Sequence, residues 1–137
     1  MDIDVNLNEV KEKPLLPADV ELGFAIVTAE VKIAKNANKS TGNKEPYVNC
    51  TMTVLNPEWP DYKVFHSFSL SIGALSSPDA TFSIKKFFSV VGYVWRTDGK
   101  FSTEEVQTIR FMGKLKYEDK APNRPVLAAV LRGIKAA

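Results

Sequence analysis

Apolar and polar residues alternate along several segments of the chain, which is the period-two pattern of strands with one buried face. In residues 24–35 this alternation predicts a strand whose polar side carries Thr28, Glu30 and Lys32. Three further segments show the same pattern and are predicted to be strands: residues 47–55, 63–72 and 109–117. A last segment, residues 126–134, is continuously apolar over most of its length. The apolar face predicted for the first strand consists of Ala25, Val27, Ala29, Val31 and Ile33.

The second and third segments each carry an aromatic residue on their polar face. Tyr47 alternates with apolar positions and shares its side with Asn49, Thr51 and Thr53. Phe65 shares its side with serines, whereas His66 falls on the opposite, apolar side of the third strand. These two polar faces are therefore predicted to point to solvent.

The last segment fits two kinds of element. Val126, Val130, Leu131 and Ile134 would also suit one side of a helix. We interpret the segment as a strand because it follows a predicted hairpin loop at 118–125. The strand at 109–117 would otherwise lack a partner.

A helix is predicted between the third and fourth strands, where apolar residues recur at three- and four-residue steps from Ile84 to Trp95. Ser77 is a suitable N-cap, with Pro78 at the first helical position and Asp79 in the first turn. Gly92 is expected to end this helix. Residues 102–106 are predicted to form one further helical turn.

The predicted order, three strands, a helix and two strands, is typical of the OB-fold, a mainly β, five-stranded, partly open Greek-key barrel. A split α+β sandwich is the alternative. OB-folds hold oligonucleotides on strands 2 and 3 and in the loops that join strands 1–2 and 4–5. Here those loops are predicted at residues 36–45 and 118–125.

Length and composition favour one ordinary globular domain. The 137 residues are 45% hydrophobic and 25% charged, and we divide them into an N-terminal arm, 1–20, and a single domain, 21–137. No run of 18 apolar residues is present, so no membrane span is expected. The first residues lack a secretory signal pattern, and Cys50 is the single cysteine, which favours a reducing cytoplasm.

Charge is distributed unevenly along the chain. Residues 1–21 contain six acidic residues and two lysines, a net charge of −4. Residues 22–137 contain 16 basic and 10 acidic residues, a net charge of +6. A basic body with an acidic arm weakly favours a polyanionic partner.

No catalytic, cofactor or metal motif is recognisable in the sequence. His66, the single histidine, is expected to be structural, and Cys50 is expected to be buried. One histidine and one cysteine do not make a zinc site of standard spacing. We therefore predict a protein that is not an enzyme and needs no cofactor or metal.

Binding residues are easier to assign, since proteins that bind single strands combine cationic grooves with aromatic rings on which bases stack. The aromatic candidates are Tyr47, Trp59, Tyr62 and Phe65. The basic candidates are Lys32, Lys35, Lys39, Lys44, Lys63, Arg110, Lys114, Lys116, Lys120 and Arg124. Ordinary roles remain open: lysines on outward strand positions increase solubility and block edge pairing, and Trp59 and Tyr62 could pack over the end of the barrel.

The sequence also resembles a family of small phage-encoded proteins. The resemblance is carried by IDVNLNEVKEKPLLPADVELGFAIVTAEVKIAKN, YVNCTMTVLN, VFHSFSL, IKKFFSVVG and FMGKL. It implies an OB-fold protein that binds single-stranded DNA in phage replication or recombination, with replication or recombination proteins as further partners, in the host bacterial cytoplasm.

Two departures from the family pattern affect what can be transferred. Asp19 stands where the family usually has glycine after Leu-Pro-Ala, and the chain ends in RGIKAA rather than in an acidic tail that recruits partners. Either the chain is shortened or recruitment works differently. The acidic arm could replace the tail, or it could form homo-oligomers as a strand exchanged between subunits.

Three functions are compatible with these patterns. We rank sequence-tolerant binding of single-stranded DNA first, a protein-interaction or virion module on the same barrel second, and a metal-dependent nuclease third.

Overall fold

Five antiparallel strands form the framework of the protein. The computed structural model describes residues 3–4, 6–9, 14–37, 42, 44–77, 80 and 82–134. The strands lie in the order β3-β2-β1-β4-β5. They are β1 (Leu22–Ile33), β2 (Pro46–Val54), β3 (Lys63–Ser69), β4 (Arg110–Glu118) and β5 (Ala121–Gly133).

The prediction of a mainly β protein with one five-stranded sheet is confirmed. The final segment is a strand, β5, rather than a helix, and it pairs with β4 as expected. In the part of the chain that is described, no ladder joins β3 to β5, although the two strands contact each other. The sheet is therefore barrel-like but is not closed by hydrogen bonds.

A bulge in β1 overturns the apolar face predicted for that strand. The register with β2 shifts between Ile26 and Thr28, so that one extra residue changes which side chains point inward. Phe24 and Ile26 are buried before the bulge, and Ala29 is buried after it. The prediction that Ala25 and Val27 belong to the buried face is therefore wrong, because the bulge interrupts the alternation between them and Ala29.

Aromatic rings fill the interior. Phe24 stacks on Phe111 with ring centroids 5.4 Å apart, and Phe68 stacks on Phe87 at 4.2 Å. Phe87 also meets Phe111 edge to face at 5.3 Å. These contacts join β1, β3, β4 and the second helix in one core, and offset and edge-to-face pairs add to the stabilisation from burial alone.

Three short helices join β3 to β4, and their starts correct the prediction. Ser77 does not begin the main helix but ends the first one, whereas Pro78 and Asp79 lie outside the described residues. The main helix begins after Ser83, whose hydroxyl accepts a hydrogen bond from the backbone N–H of Lys86. It ends at Gly92, as predicted, in a left-handed conformation. The helices are α1 (Ile72–Ser76), α2 (Ile84–Val91) and α3 (Thr103–Val106).

The predicted third strand ends earlier than expected. β3 stops at Ser69, and the hydroxyl of Ser71 caps α1 by accepting from the N–H of Ala74. The predicted helical turn at 102–106 is confirmed by α3, which Ser102 caps.

The connection from β4 to β5 is much shorter than the predicted loop at 118–125. Glu118 pairs directly with Ala121, which leaves a turn of only Asp119 and Lys120. A strand pair can reverse over two residues, and here the residues expected in the loop belong to β5.

The chain before β1 is fixed against the sheet at two tyrosines. The hydroxyl of Tyr117 donates to the carbonyl of Leu16 at 2.6 Å, and that of Tyr62 donates to the carbonyl of Pro14. Leu16 is buried in the core. The alternation of Ile3, Val5 and Leu7 would allow a short strand at residues 2–7, but among the described residues of the arm Asn6 to Glu9 form a turn.

Among the described residues, no helix is long and apolar enough to cross a bilayer.

Candidate nucleic-acid interface

The pairing of β1, β2 and β3 builds one polar surface, which we call the outer face. Buried side chains alternate with outward ones along β2 and β3, and antiparallel register places outward side chains of neighbouring strands next to one another. The outer face consists of four rows across the sheet: Lys32–Tyr47–Ser69, Glu30–Asn49–Ser67, Thr28–Thr51–Phe65 and Ala25–Thr53–Lys63.

The loop that joins β1 to β2, residues 34–45, carries three lysines, and we call it the basic loop. The first row of the outer face places an amine and an aromatic ring at the base of this loop. Lys32 is paired with Tyr47, so their side chains lie about 5 Å apart at the Cβ atoms. The N–H of Ala34 donates to the carbonyl of Glu45 at 2.9 Å, which continues the ladder one step further. Lys35 and Lys44 follow directly on the two sides of this hydrogen bond, and both are exposed. Lys39 lies outside the described residues.

Phe65 is the most exposed aromatic ring on the outer face. Its side chain is 51% exposed and stands opposite Thr51 of β2. Thr51 lies four positions after Tyr47, which corresponds to about 13 Å along a strand. The two rings therefore lie on one continuous surface, with Lys63 one row beyond Phe65.

An acidic residue reduces the positive charge of this face. Glu30 lies one row from Lys32, and their charged groups are 3.9 Å apart. Both side chains are largely exposed, and such pairs contribute little to stability. The outer face therefore has a mixed charge, and its cationic character is greatest at the loop base.

Trp59 and Tyr62 lie in the turn between β2 and β3, at the end of β2 opposite Tyr47. Their rings meet edge to face at 5.8 Å, and both pack against the core. The Tyr62 hydroxyl also holds Pro14. The structure thus gives these two residues a packing role, which was the alternative left open by the sequence.

The basic residues of β4 lie on the far side of β1. Arg110 pairs with Ala25, so it extends the row that contains Lys63. Lys114 pairs with Ala129, and Lys116 pairs with Val126, on the β5 side of the sheet. Only Arg110 of this group is joined to the outer face by strand pairing.

Lys120 and Arg124 are not brought to the outer face by strand pairing. Lys120 occupies the tight β4–β5 turn, and Arg124 is an exposed residue of β5 rather than part of a loop. This turn lies beyond the start of β1, whereas the basic loop follows the end of β1. The predicted second binding loop is therefore wrong, because the hairpin has no residues left to form it.

The side chains of the single histidine and the single cysteine point to the inner, core-facing side of the sheet. Burial lowers the pKa of the His66 imidazole to about 4 and raises the pKa of the Cys50 thiol to about 12. His66 packs between the rings of Phe68 and Phe82 at 4.7 and 4.5 Å. Both groups are thus uncharged at neutral pH. In the described part of the chain, no cluster of three or more His, Cys, Asp or Glu residues has an arrangement that could hold a metal.

The outer face also contains hydrogen-bonding groups that were not singled out from the sequence. The Ser67 hydroxyl donates to the side-chain oxygen of Asn49 at 3.3 Å, between the rows of Tyr47 and Phe65. The signal that could have identified them is the same alternation that placed Tyr47 and Phe65 outside.

A concave apolar surface occurs elsewhere on the molecule. A cavity of about 140 Å³ beside α2 is lined in part by Leu75, Phe88, Trp95 and Phe101. No residue predicted for binding lines it.

Comparison of the chain with protein-family models, with characterised proteins and with solved structures gives no match. The resemblance to small phage-encoded proteins therefore stays a prediction.

Proposed function

We propose that this protein binds single-stranded DNA without strong sequence preference, on the outer face and the base of the basic loop. The observation that supports this most is the register of β1, β2 and β3. It gathers Lys32, Tyr47 and Phe65 on one exposed surface, with Lys35 and Lys44 at its border. Amines of this kind neutralise phosphates, and exposed rings offer stacking surfaces to unpaired bases.

The charge balance indicates how such binding would behave. Few amines border the outer face, and the negative charge of Glu30 offsets the positive charge of Lys32. We therefore expect moderate affinity that depends strongly on salt. Bases would be held by stacking rather than by specific hydrogen bonds, so different sequences would bind alike.

We further propose that the barrel-like sheet is an OB-fold. The strand order β3-β2-β1-β4-β5, with α2 between β3 and β4, agrees with the Greek-key order of that fold. OB-folds use the faces of strands 2 and 3 and the first loop to bind oligonucleotides. In this chain the second loop is a two-residue turn, so binding would depend on the first loop and the outer face.

The biological setting that the resemblance implies belongs to the same proposal. It is phage replication or recombination in the bacterial cytoplasm, with other replication or recombination proteins as partners.

Fluorescence anisotropy with a labelled oligo-dT strand tests the proposal. If about four phosphates are neutralised, the slope of log affinity against log salt should be near −3, since each contributes about 0.7 on single strands. Unlabelled single-stranded DNA should compete better than duplex DNA or RNA. No binding, or binding that is unaffected by salt, would refute the charged surface.

The same sample also tests the nuclease alternative. The labelled strand is incubated with the protein and Mg²⁺ or Mn²⁺ and examined on a denaturing gel. An intact strand agrees with binding alone, whereas cleavage would require the nuclease interpretation.

A further inference from the structure

The second half of β1 has one edge without a strand partner. β4 pairs with β1 only from Leu22 to Ala25. Beyond this point, the N–H of Ile26 donates to the carbonyl of Ile109, and the N–H of Ala29 donates to the side chain of Gln107 at 3.3 Å. From Val31 onward, the described residues provide no partner on this edge.

The hydrogen-bond pattern shows which backbone groups face this open edge. The bond from Ala34 to Glu45 marks a hydrogen-bonded pair, so Lys32 also directs its N–H and C=O toward β2. The intervening residues, Val31 and Ile33, direct theirs to the opposite side. The donor position of Ala29, on the Gln107 side, agrees with this assignment.

The side chains at the open edge are apolar and uncovered. Val31 is 57% exposed and Ile33 is 65% exposed, although both follow the buried Ala29 on the inner side of the strand. An edge with free backbone groups and exposed apolar side chains is a template for another strand.

We propose that the N-terminal arm of a second copy of this chain pairs with the open edge of β1 at Val31 and Ile33. The arm alternates apolar and acidic or polar residues through Ile3, Asp4, Asn6 and Leu7. Ile3 is 84% exposed and Leu7 is 80% exposed, so both lack a cover in the isolated chain.

Alternation and charge agree with this pairing. In an added strand, Ile3 and Leu7 would lie on the side of Val31 and Ile33, and Asp4 would lie on the side of Lys32. The turn at Asn6 to Glu9 would open on pairing. It is held by two exposed hydrogen bonds, which water can replace.

The reach of the arm favours a second copy over the same chain. Leu16 is fixed beside Tyr117, which lies four residues beyond the level of Leu22 along β4. Followed along the sheet, the path from Leu16 to Val31 is then about 43 Å, which is an upper limit on their separation because the sheet is barrel-like. The nine residues from Leu7 to Leu16 span at most about 32 Å when fully extended. Reciprocal exchange would close a dimer, whereas one-way exchange would give longer chains.

This proposal is independent of DNA binding, and light scattering during gel filtration tests it. We expect wild-type protein to exceed the monomer mass of 15.2 kDa increasingly with concentration. Ile33→Asp and Leu7→Asp should each weaken the association at least about tenfold, because they remove apolar burial at the contact. Ile72→Asp is the matched control, since Ile72 is 79% exposed but lies in α1. A monomeric wild type, or equal effects of all three variants, would overturn the proposal.

Cross-linking identifies the strand that occupies the edge. Leu7→Cys protein is mixed with Ile33→Cys protein and treated with a short bifunctional thiol reagent. The native Cys50 is buried and its thiol has a pKa of about 12, so it should not react. The proposal is supported if the yield of linked dimer in this mixture is much higher than in a mixture of Leu7→Cys with Ile72→Cys protein. A further variant carries both Leu7→Cys and Ile33→Cys in one chain. If the reagent links the two cysteines within this chain and no linked dimer forms in the mixture, the edge is occupied by the chain's own arm and the proposal is overturned.

Discussion

Phe65 and His66 are neighbours in β3 but occupy opposite environments. Phe65 points to solvent and is half exposed. His66 points inward between two aromatic rings, and among the described residues its Nε2 has no hydrogen-bond partner. The alternation of a strand therefore separates a residue suited to binding from one whose role is structural.

Phe65→Ala should weaken binding of oligo-dT by about 1–3 kcal/mol, which is roughly 5- to 150-fold, because one base would lose its stacking surface. The ring is exposed, so the melting temperature should change little. Anisotropy titrations with the wild type and with Phe65→Tyr, which keeps a ring, provide the comparison. Equal affinities for Phe65→Ala and wild type would show that bases do not stack at this position.

His66 should make the fold less stable in mild acid. Its pKa is about 4 when folded but about 6.5 in an unfolded chain. The unfolded state therefore binds a proton first, and stability falls as the pH decreases from about 6.5 toward 4. The loss in the free energy of unfolding between pH 7 and pH 5 should be about 2 kcal/mol.

Denaturant unfolding at these two pH values measures this effect. His66→Leu removes the titrating group, so its stability should change less over the same interval. If both proteins lose the same free energy, other groups account for the acid sensitivity.

At the scale of elements, regular alternation predicted most of the sheet, and local irregularities limited the prediction. The strands β2 and β3 have the expected inner and outer faces because no shift interrupts the register between them. β4 also keeps its expected alternation, although its register with β5 shifts at three points. The bulge in β1 could not be recognised because Val27, next to it, is itself apolar. Ser77 and Ser83 are equally suitable caps by residue type, so the sequence alone does not show which serine starts the main helix. In the structure Ser83 starts it, and Ile84, which follows, is buried.

The contact between α2 and β5 depends on a glycine. A Cβ at Gly133 would overlap the backbone of Val91, including its carbonyl oxygen. Gly133→Ala should therefore destabilise the protein by about 1–3 kcal/mol, since the helix or the strand must shift. Gly73→Ala in α1 is the control, because a Cβ there meets open space and alanine is the better helix former. Thermal unfolding should separate the two; equal melting temperatures would show that α2 shifts without cost.

At the scale of the whole molecule, the sequence predicted where charge accumulates but only part of how it is arranged. The two ends of the basic loop border the outer face as expected, because strand pairing brings Lys35 and Lys44 to the same end as Tyr47. The residues expected in the second loop instead form the end of β4, a two-residue turn and the start of β5. Such a turn is difficult to foresee, since Asp119 and Lys120 lack the glycine that usually marks one.

The remaining question at this scale is whether position or net charge governs binding. Lys35→Ala combined with Lys44→Ala removes two positive charges from the loop base, and Lys85→Ala combined with Lys86→Ala removes two exposed charges from α2. If the loop base contacts two phosphates, the Lys35→Ala/Lys44→Ala variant should show a slope of log affinity against log salt that is shallower by about 1.4. It should also bind oligo-dT roughly 10- to 30-fold more weakly at about 0.1 M salt. The loss should be alike for all sequences, because phosphate contacts carry no sequence information. The second pair should have a much smaller effect, since charges outside the contact act only through a screened field. Equal losses for both pairs would mean that DNA responds to the overall charge of the protein, and the outer face would then have no special role in binding.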